Sequence, residues 1–138
     1  MLRSLIFPFI LITINAATQN TLTVHAILNN PDAGGIVRFA FCPNEEAFDS
    51  WKGCDTISVA VVGRIVDATF TDVPQGICAV RVIQDVNSNG KLDTSWLGWP
   101  KEPYGFSNNA PVNTGPPPFH LAAWMIRPGE NVIRVALR

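Results

Sequence analysis

Apolar and polar residues alternate in short runs from Thr21 onward, and Gly, Pro and Asn separate these runs. The first run places Leu22, Val24 and Ala26 on one face, with Thr and His on the other. Period-two alternation of this kind is typical of half-buried strands. Later runs repeat the pattern and predict strands near 37–41, 57–61, 66–71, 78–82, 119–126 and 133–137. The fold class predicted is all-β, a seven-stranded antiparallel β-sandwich of immunoglobulin-like or transthyretin-like type.

One short helix interrupts this pattern. Asn44 can cap it, because an Asn side chain accepts a hydrogen bond from a free amide of the first turn. Glu45 and Glu46 fall in that first turn, where negative charge suits the helix dipole. Phe48 and Trp51 would form its apolar side.

The N-terminal residues 1–17 have the layout of a secretory signal peptide. Arg3 precedes an apolar run over residues 5–14, and Ala16 and Ala17 follow. A retained anchor is the alternative, but the run is short for a membrane span. We expect export to the periplasm or beyond, one β-sandwich domain over residues 18–138, and no transmembrane segment in the mature chain.

Three cysteines leave one without a partner inside the chain. Cys42 and Cys54 flank a short polar segment, and an exported protein meets oxidising conditions, so we predict a disulfide between them. Two free thiols are the alternative, because spacing does not fix geometry. Cys78, in the middle of a predicted strand, is expected to be an inert buried thiol.

The formal net charge is −1, and no stripe of basic residues occurs. This excludes nucleic acid as an expected partner. An unidentified protein or polysaccharide of the cell envelope fits the predicted location better.

The longest connection, roughly residues 84–118, carries the candidate chemistry. It follows the fifth predicted strand, in which Arg81 is expected to face outward. Asp85, Asn87 and Asn89 alternate ahead of a glycine, and Asp93 follows. Oxygen-bearing side chains at every second residue of a tight loop suit a hard cation, so the spacing predicts a Ca²⁺ site.

The remaining ligands of this site are less specific. Lys91 would offer a backbone carbonyl, and Glu102 would act as a remote acid. A helix–loop–helix calcium site needs a Glu at the twelfth loop position, which here is Trp96, and a strand rather than a helix precedes the loop. The loop is therefore not an EF-hand. The alternative is a metal-free Asn-Gly turn whose side chains cap their own backbone.

Two further hypotheses use the same connection. Asp85, Asp93 and Glu102 could serve a carboxylate-dependent hydrolase of cell-envelope polymers, but nothing in the sequence points to a raised pKa, and we expect no enzyme. Four aromatic residues could form a platform for a sugar or peptide, or a small satellite core under the loop. These residues are Trp96, Trp99, Tyr104 and Phe106.

The chain resembles the DUF2141 family of small exported bacterial proteins. The resemblance rests on three segments of the long connection, 85–93 (DVNSNGKLD), 98–102 (GWPKE) and 104–110 (YGFSNNA). The GIVRFAF strand from Gly35, the turn ending in VPQG at 73–76 and the PPF at 117–119 extend it over nearly the whole mature chain. It implies a secreted β-sandwich without an established activity.

Two positions depart from the family pattern, which has an aromatic at Cys78 and a small aliphatic at Trp99. Neither is among the expected Ca²⁺ ligands. The leading interpretation is thus an exported, non-enzymatic β-sandwich whose 85–93 loop binds Ca²⁺. The alternative is a metal-free domain that contacts sugar or peptide through its aromatic loop residues.

Overall fold

A computed structural model describes residues 10–13, 18–98, 100–113 and 115–138. Most of the predicted signal peptide, and with it the cleavage region, lies outside these residues. Within the described ranges, no helix has the length and apolar character needed to cross a membrane.

The described residues form eight strands and two short α-helices, with 3₁₀ turns at Pro31–Ala33 and Ser107–Asn109. The strands are β1 Thr21–Ile27, β2 Ile36–Cys42, β3 Asp55–Ala60, β4 Ile65–Thr71, β5 Gly76–Asp85, β6 Tyr104–Phe106, β7 Trp124–Ile126 and β8 Glu130–Ala136. The helices are α1 Glu45–Ser50 and α2 Phe119–Ala122.

Two sheets contain these strands. The smaller has the order β4-β1-β8, and the larger has the order β3-β2-β5-β6, with β7 paired to the first residues of β5. All pairs are antiparallel except β1 with β8, which is parallel. The prediction of an all-β sandwich is confirmed. It missed the parallel pair because alternation does not reveal strand direction.

The main core lies between the two sheets and is built from the inward residues of the alternating runs. Leu22, Val24, Phe39 and Val82 are fully buried there, and the rings of Phe41 and Phe70 are 5.7 Å apart across the interface. Burying side chains of this size contributes about 1.5–3 kcal/mol each. The faces predicted for β1, β2, β4, β5 and β8 are those that the core uses.

The predicted strand over residues 119–126 is only partly correct. Its first residues form α2, and the strand is confined to Trp124–Ile126. A helix forms here instead of a strand because Phe119 and Ala122, three residues apart, lie on one helical face. Phe119 packs against Phe48 at 5.7 Å, and Ala122 is fully buried.

A second apolar cluster covers the outer face of the larger sheet. It contains Phe48 of α1, Ala79 of β5, Phe106 of β6 and Ala122 of α2. The prediction that Arg81 faces outward from the main core is confirmed, but its side chain is covered and only 3% exposed. Alternation places Arg81 on the outer face correctly, but it cannot show that α1 covers that face.

Candidate functional site

The segment that follows β5 is a tight loop which begins at Asp85, the last residue of the strand. Ser88 and Gly90 both have positive φ, 56° and 86°. Glycine adopts this left-handed region at no steric cost, whereas serine does so only when neighbouring contacts stabilise it. The two left-handed residues bend the backbone so that the amides of Asn89 and Gly90 point at the Asp85 carboxylate.

Asp85 anchors the loop from a fully buried position. Its Oδ2 accepts hydrogen bonds from Nε of Arg38 at 2.7 Å and from the amide of Gly90 at 2.8 Å, and its Oδ1 accepts from the amide of Asn89 at 3.1 Å. Burial favours the neutral acid, but these donors outweigh burial and lower the pKa of Asp85 below its ordinary 3.8. Asp85 is therefore a carboxylate at neutral pH.

The side chains of the other three predicted ligands are joined to one another by hydrogen bonds. Nδ2 of Asn87 donates to Asp93 at 2.5 Å, and Nδ2 of Asn89 donates to both Asp93 oxygens at 2.8 and 2.9 Å. The two Asn donors lower the pKa of Asp93 below 3.8. Oδ1 of Asn87 accepts from the amide of Asn89, and Oδ1 of Asn89 accepts from the amide of Lys91.

Glu102 bonds to the backbone at both ends of the loop. It is 7% exposed, and its two carboxylate oxygens accept from the amides of Val86 at 2.9 Å and Asp93 at 3.0 Å. These bonds join the start and the end of the loop. Glu102 thus faces the loop backbone. Lys91 contributes its amide to the turn.

The donor set at the loop consists of oxygens from two carboxylates and two amides. No group of three or more His, Cys, Asp and Glu side chains in the described ranges could hold a metal ion. Each acceptor oxygen has two lone pairs. Oδ1 of Asp85, Asn87 and Asn89 each accepts one hydrogen bond, from a backbone amide, and so retains capacity.

The four aromatic residues predicted to form one cluster do not all lie together in the described structure. Tyr104 and Phe106 lie on β6 with their rings 6.0 Å apart, and Phe106 also packs edge-on against Phe48. Trp96 is 92% exposed on the loop, and among the described residues no ring contact joins it to this pair. Trp99 lies outside the described residues. Tyr104 and Phe106 therefore belong to the apolar cover of the larger sheet.

The predicted disulfide between Cys42 and Cys54 is confirmed, with a Cα–Cα distance of 4.4 Å. It closes the segment that contains α1, whose cap by Asn44 is also confirmed through a 2.9 Å bond from the amide of Ala47. Cys78 is a buried free thiol, and burial raises its pKa to about 12.

Sequence reasoning missed the importance of Arg38 and Arg81. Each occupies an outward position of an alternating strand, where an exposed charge is the ordinary expectation. The available signal was their relation to the loop, since β2 begins and β5 ends at the Ile36–Asp85 pair. That signal needs the β2–β5 register, which the sequence does not supply.

Comparison with known proteins identifies a family for the chain. A search of curated proteins found no match, and a search of solved structures found none either. The profile of DUF2141, described as uncharacterized protein conserved in bacteria, matches residues 26–134. This range includes the 85–93 loop, Glu102 and both cysteines of the disulfide. The chain belongs to the DUF2141 family.

Proposed function

We propose that this protein is an exported, non-enzymatic binding module whose 85–93 loop binds Ca²⁺ and thereby orders the long connection after β5. The observation that carries the proposal is the convergence of Asp85, Asn87, Asn89 and Asp93 around a backbone with left-handed residues at 88 and 90. A disulfide-bonded sandwich is consistent with an oxidising compartment outside the cytosol.

The hydrogen bonds of the loop support this use. The amide groups of Asn87 and Asn89 direct their N–H donors at Asp93, where they offset its negative charge. Rotation of these two amides would replace the donors by carbonyl oxygens and open a place for a cation next to the carboxylate. This rotation would release the backbone amides of Asn89 and Lys91 from the two Asn side chains. The bonds from the amides of Asn89 and Gly90 to Asp85 would remain and hold the loop backbone.

Each predicted ligand then has a defined part. Asp85 would bind through Oδ1, since Arg38 and Gly90 already use Oδ2. Asp93 would supply the second negative charge. Lys91 would supply its backbone carbonyl, and Glu102 would hold the loop ends together without touching the ion.

The charge of this donor set predicts a weak site. Two carboxylates bring two negative charges, and Arg38 offsets part of the charge on Asp85. Calcium affinity follows the charge and rigidity of the ligands, and extracellular modules bind with Kd on the order of 10⁻⁴–10⁻³ M. We expect this range here. It matches a site that stays filled outside the cell and serves structure rather than signalling.

The carboxylates favour binding over catalysis. A general acid of a hydrolase needs a raised pKa, so that it keeps its proton at neutral pH. The pKa values of Asp85 and Asp93 are both lowered. Glu102 is bonded through both oxygens to backbone amides, which leaves it poorly placed to donate a proton.

Calorimetric titration of Ca²⁺ into the metal-free domain tests the proposal. The wild type should bind one ion, and Asp93→Asn should weaken binding by about tenfold or more because one of two ligand charges is lost. Asp67→Asn is the matched control, since Asp67 is an exposed acid on β4 of the smaller sheet. Equal binding by wild type and Asp93→Asn would refute the assignment of this loop.

A further inference from the structure

Arg81 is a buried cation on the covered face of the larger sheet. Its guanidinium carbon lies 3.7 Å from the ring centre of Trp51 and 4.9 Å from that of Phe48. Both rings belong to the chain segment that the Cys42–Cys54 disulfide closes. Their π faces stabilise the charge, but they provide no hydrogen-bond acceptor in the plane of the guanidinium.

The in-plane contacts of Arg81 are incomplete. Nη2 donates to the carbonyl of Ala47 at 3.4 Å and lies 3.3 Å and 3.6 Å from the sulfurs of Cys42 and Cys54. Nε and Nη1 are buried and have no hydrogen-bond partner among the described residues. Arginine carries five N–H donors and cannot shed its charge in proteins, so unpaired nitrogens at a buried position are costly.

No described carboxylate forms an ion pair with Arg81. Burial lowers its pKa to about 10, and the exposed Asp49 opposes that change only through space. A buried charge is ordinarily paired. Arg81 is therefore a buried cation without a paired anion among the described residues, and a bound ligand could provide that anion.

A pocket of about 320 Å³ adjoins this cation on the outer face of the larger sheet. Its walls include a second arginine, Arg38, together with the hydroxyl residues Thr56 and Ser58 of β3 and the half-exposed ring of Trp51. No Asp or Glu is among the residues that line it. Arg38 is held in place by Asp85 and by Ser58, at 2.7 and 3.1 Å.

We propose that this pocket binds a small oxyanion, a carboxylate or a phosphate group, through Arg81 and Arg38. The oxyanion accepts hydrogen bonds from Nε and Nη1 of Arg81 and from the hydroxyl groups of β3. Arginine is suited to this task because its planar N–H donors match carboxylate and phosphate oxygens. The proposal does not rest on bound Ca²⁺: Gly90 is the one pocket residue that belongs to the metal loop, and Arg38 contacts that loop through Asp85.

Trp51 lines this site and stacks on Arg81. It ends α1 in a left-handed conformation with φ of 61° and is 52% exposed. The ring stacks on Arg81 while the nitrogens are out of contact with solvent, and it moves aside when the oxyanion enters. A ring that covers a cation in this way also provides a flat surface for the body of the ligand.

The test uses calcium-free protein at constant ionic strength, so that its outcome is independent of the metal loop. Inorganic phosphate and acetate are titrated separately while the Nε–H resonance of Arg81 and the thermal midpoint are followed. We expect a saturable shift of that resonance and a rise of the midpoint with at least one of them. Saturation by acetate would assign a carboxylate ligand, and saturation by phosphate alone would assign a phosphoryl group.

Two substitutions complete the test. Arg81→Met removes the donors, and it should fold and lose at least about tenfold in affinity, the cost of a hydrogen bond to a charged group. Arg134→Met is the matched control, because Arg134 is an exposed arginine on β8. The absence of any saturable change in wild type up to tens of millimolar anion would overturn the proposal, as would an equal response of Arg81→Met. Should Arg81→Met fail to fold, the wild-type resonance decides alone.

Discussion

Nε of Arg38 donates a 2.7 Å hydrogen bond to Oδ2 of Asp85. The carboxylate is fully buried, and the side chain of Arg38 is 31% exposed. This pair joins the proposed calcium loop to the outer face of the larger sheet, where Arg38 lines the pocket beside Arg81. The two proposed sites are therefore neighbours that share one arginine.

Replacing Asp85 with Asn should destabilise the protein even without metal. The substitution removes the charge that pairs with Arg38, and a hydrogen bond to a charged group contributes about 1.5–3 kcal/mol. Urea unfolding of metal-free protein measures this loss. Asp32→Asn, at an exposed acid in a 3₁₀ turn, is the control and should change the free energy of unfolding by less than about 0.5 kcal/mol. A variant as stable as wild type would mean that the pair contributes nothing.

Acid should destabilise the protein through the same loop. The folded-state pKa values of Asp85 and Asp93 lie below the ordinary 3.8 that applies to the unfolded chain. Their contribution to stability is therefore complete above about pH 4–5 and is lost as the pH falls through the folded-state values. Urea midpoints between about pH 2 and 6 should fall more steeply for wild type than for Asp85→Asn. Parallel curves would contradict the lowered pKa of Asp85.

The sequence predicted the sandwich because its core is made of alternating strands, in which every second side chain is buried. It did not predict β6, since Tyr104–Phe106 is too short for a period to be visible. It placed Arg81 on the outer face but did not show that this face is covered, because the cover comes from α1, α2 and β6, which are distant in sequence. Long-range packing of this kind leaves no local pattern.

In the candidate site, too, the residues within one local segment were predictable and those brought in by long-range contacts were not. The side chains of Asp85, Asn87, Asn89 and Asp93 converge within one local loop, and their spacing was enough to select them. The roles of Arg38 and Glu102 depend on contacts between segments that are separate in sequence. Arg38 bonds to Asp85, and Glu102 bonds to the amides of Val86 and Asp93. Glu102 was selected as a remote acid, but its use of both oxygens to hold the loop ends could not be read from spacing.

Reduction of the Cys42–Cys54 disulfide should lower stability by about 3 kcal/mol, the loop-entropy value for a closed segment of this length. It should also release α1, and with it the Trp51 and Phe48 rings that contact Arg81. Chemical unfolding with and without reductant measures the loss. Cys78→Ala, which leaves the bridge intact, should respond to reductant as wild type does. An unchanged midpoint after verified reduction would count against a stabilising bridge.

Gly105 marks a close approach between β6 and β8. A Cβ at this position would lie 2.7 Å from the carbonyl oxygen of Ala136 and 2.9 Å from a methyl carbon of Val135. Gly105→Ala should therefore cost about 1–3 kcal/mol through overpacking. Gly63→Ala is the matched control, because a Cβ there meets nothing within 4 Å. Equal free energies of unfolding for the two variants would show that β6 is not held tightly against β8.

The most direct test of the calcium account is the free energy of unfolding of the domain in a chelator and in Ca²⁺. Binding to the folded state alone should raise that free energy by about 2.7 kcal/mol at a hundredfold excess over Kd. We expect this rise in wild type, little of it with Mg²⁺, and none in a variant in which Asp85 and Asp93 are both replaced by Asn. A free energy of unfolding that is the same in chelator and in Ca²⁺ would contradict the account and leave the loop as a turn held by its own Asn and Asp side chains.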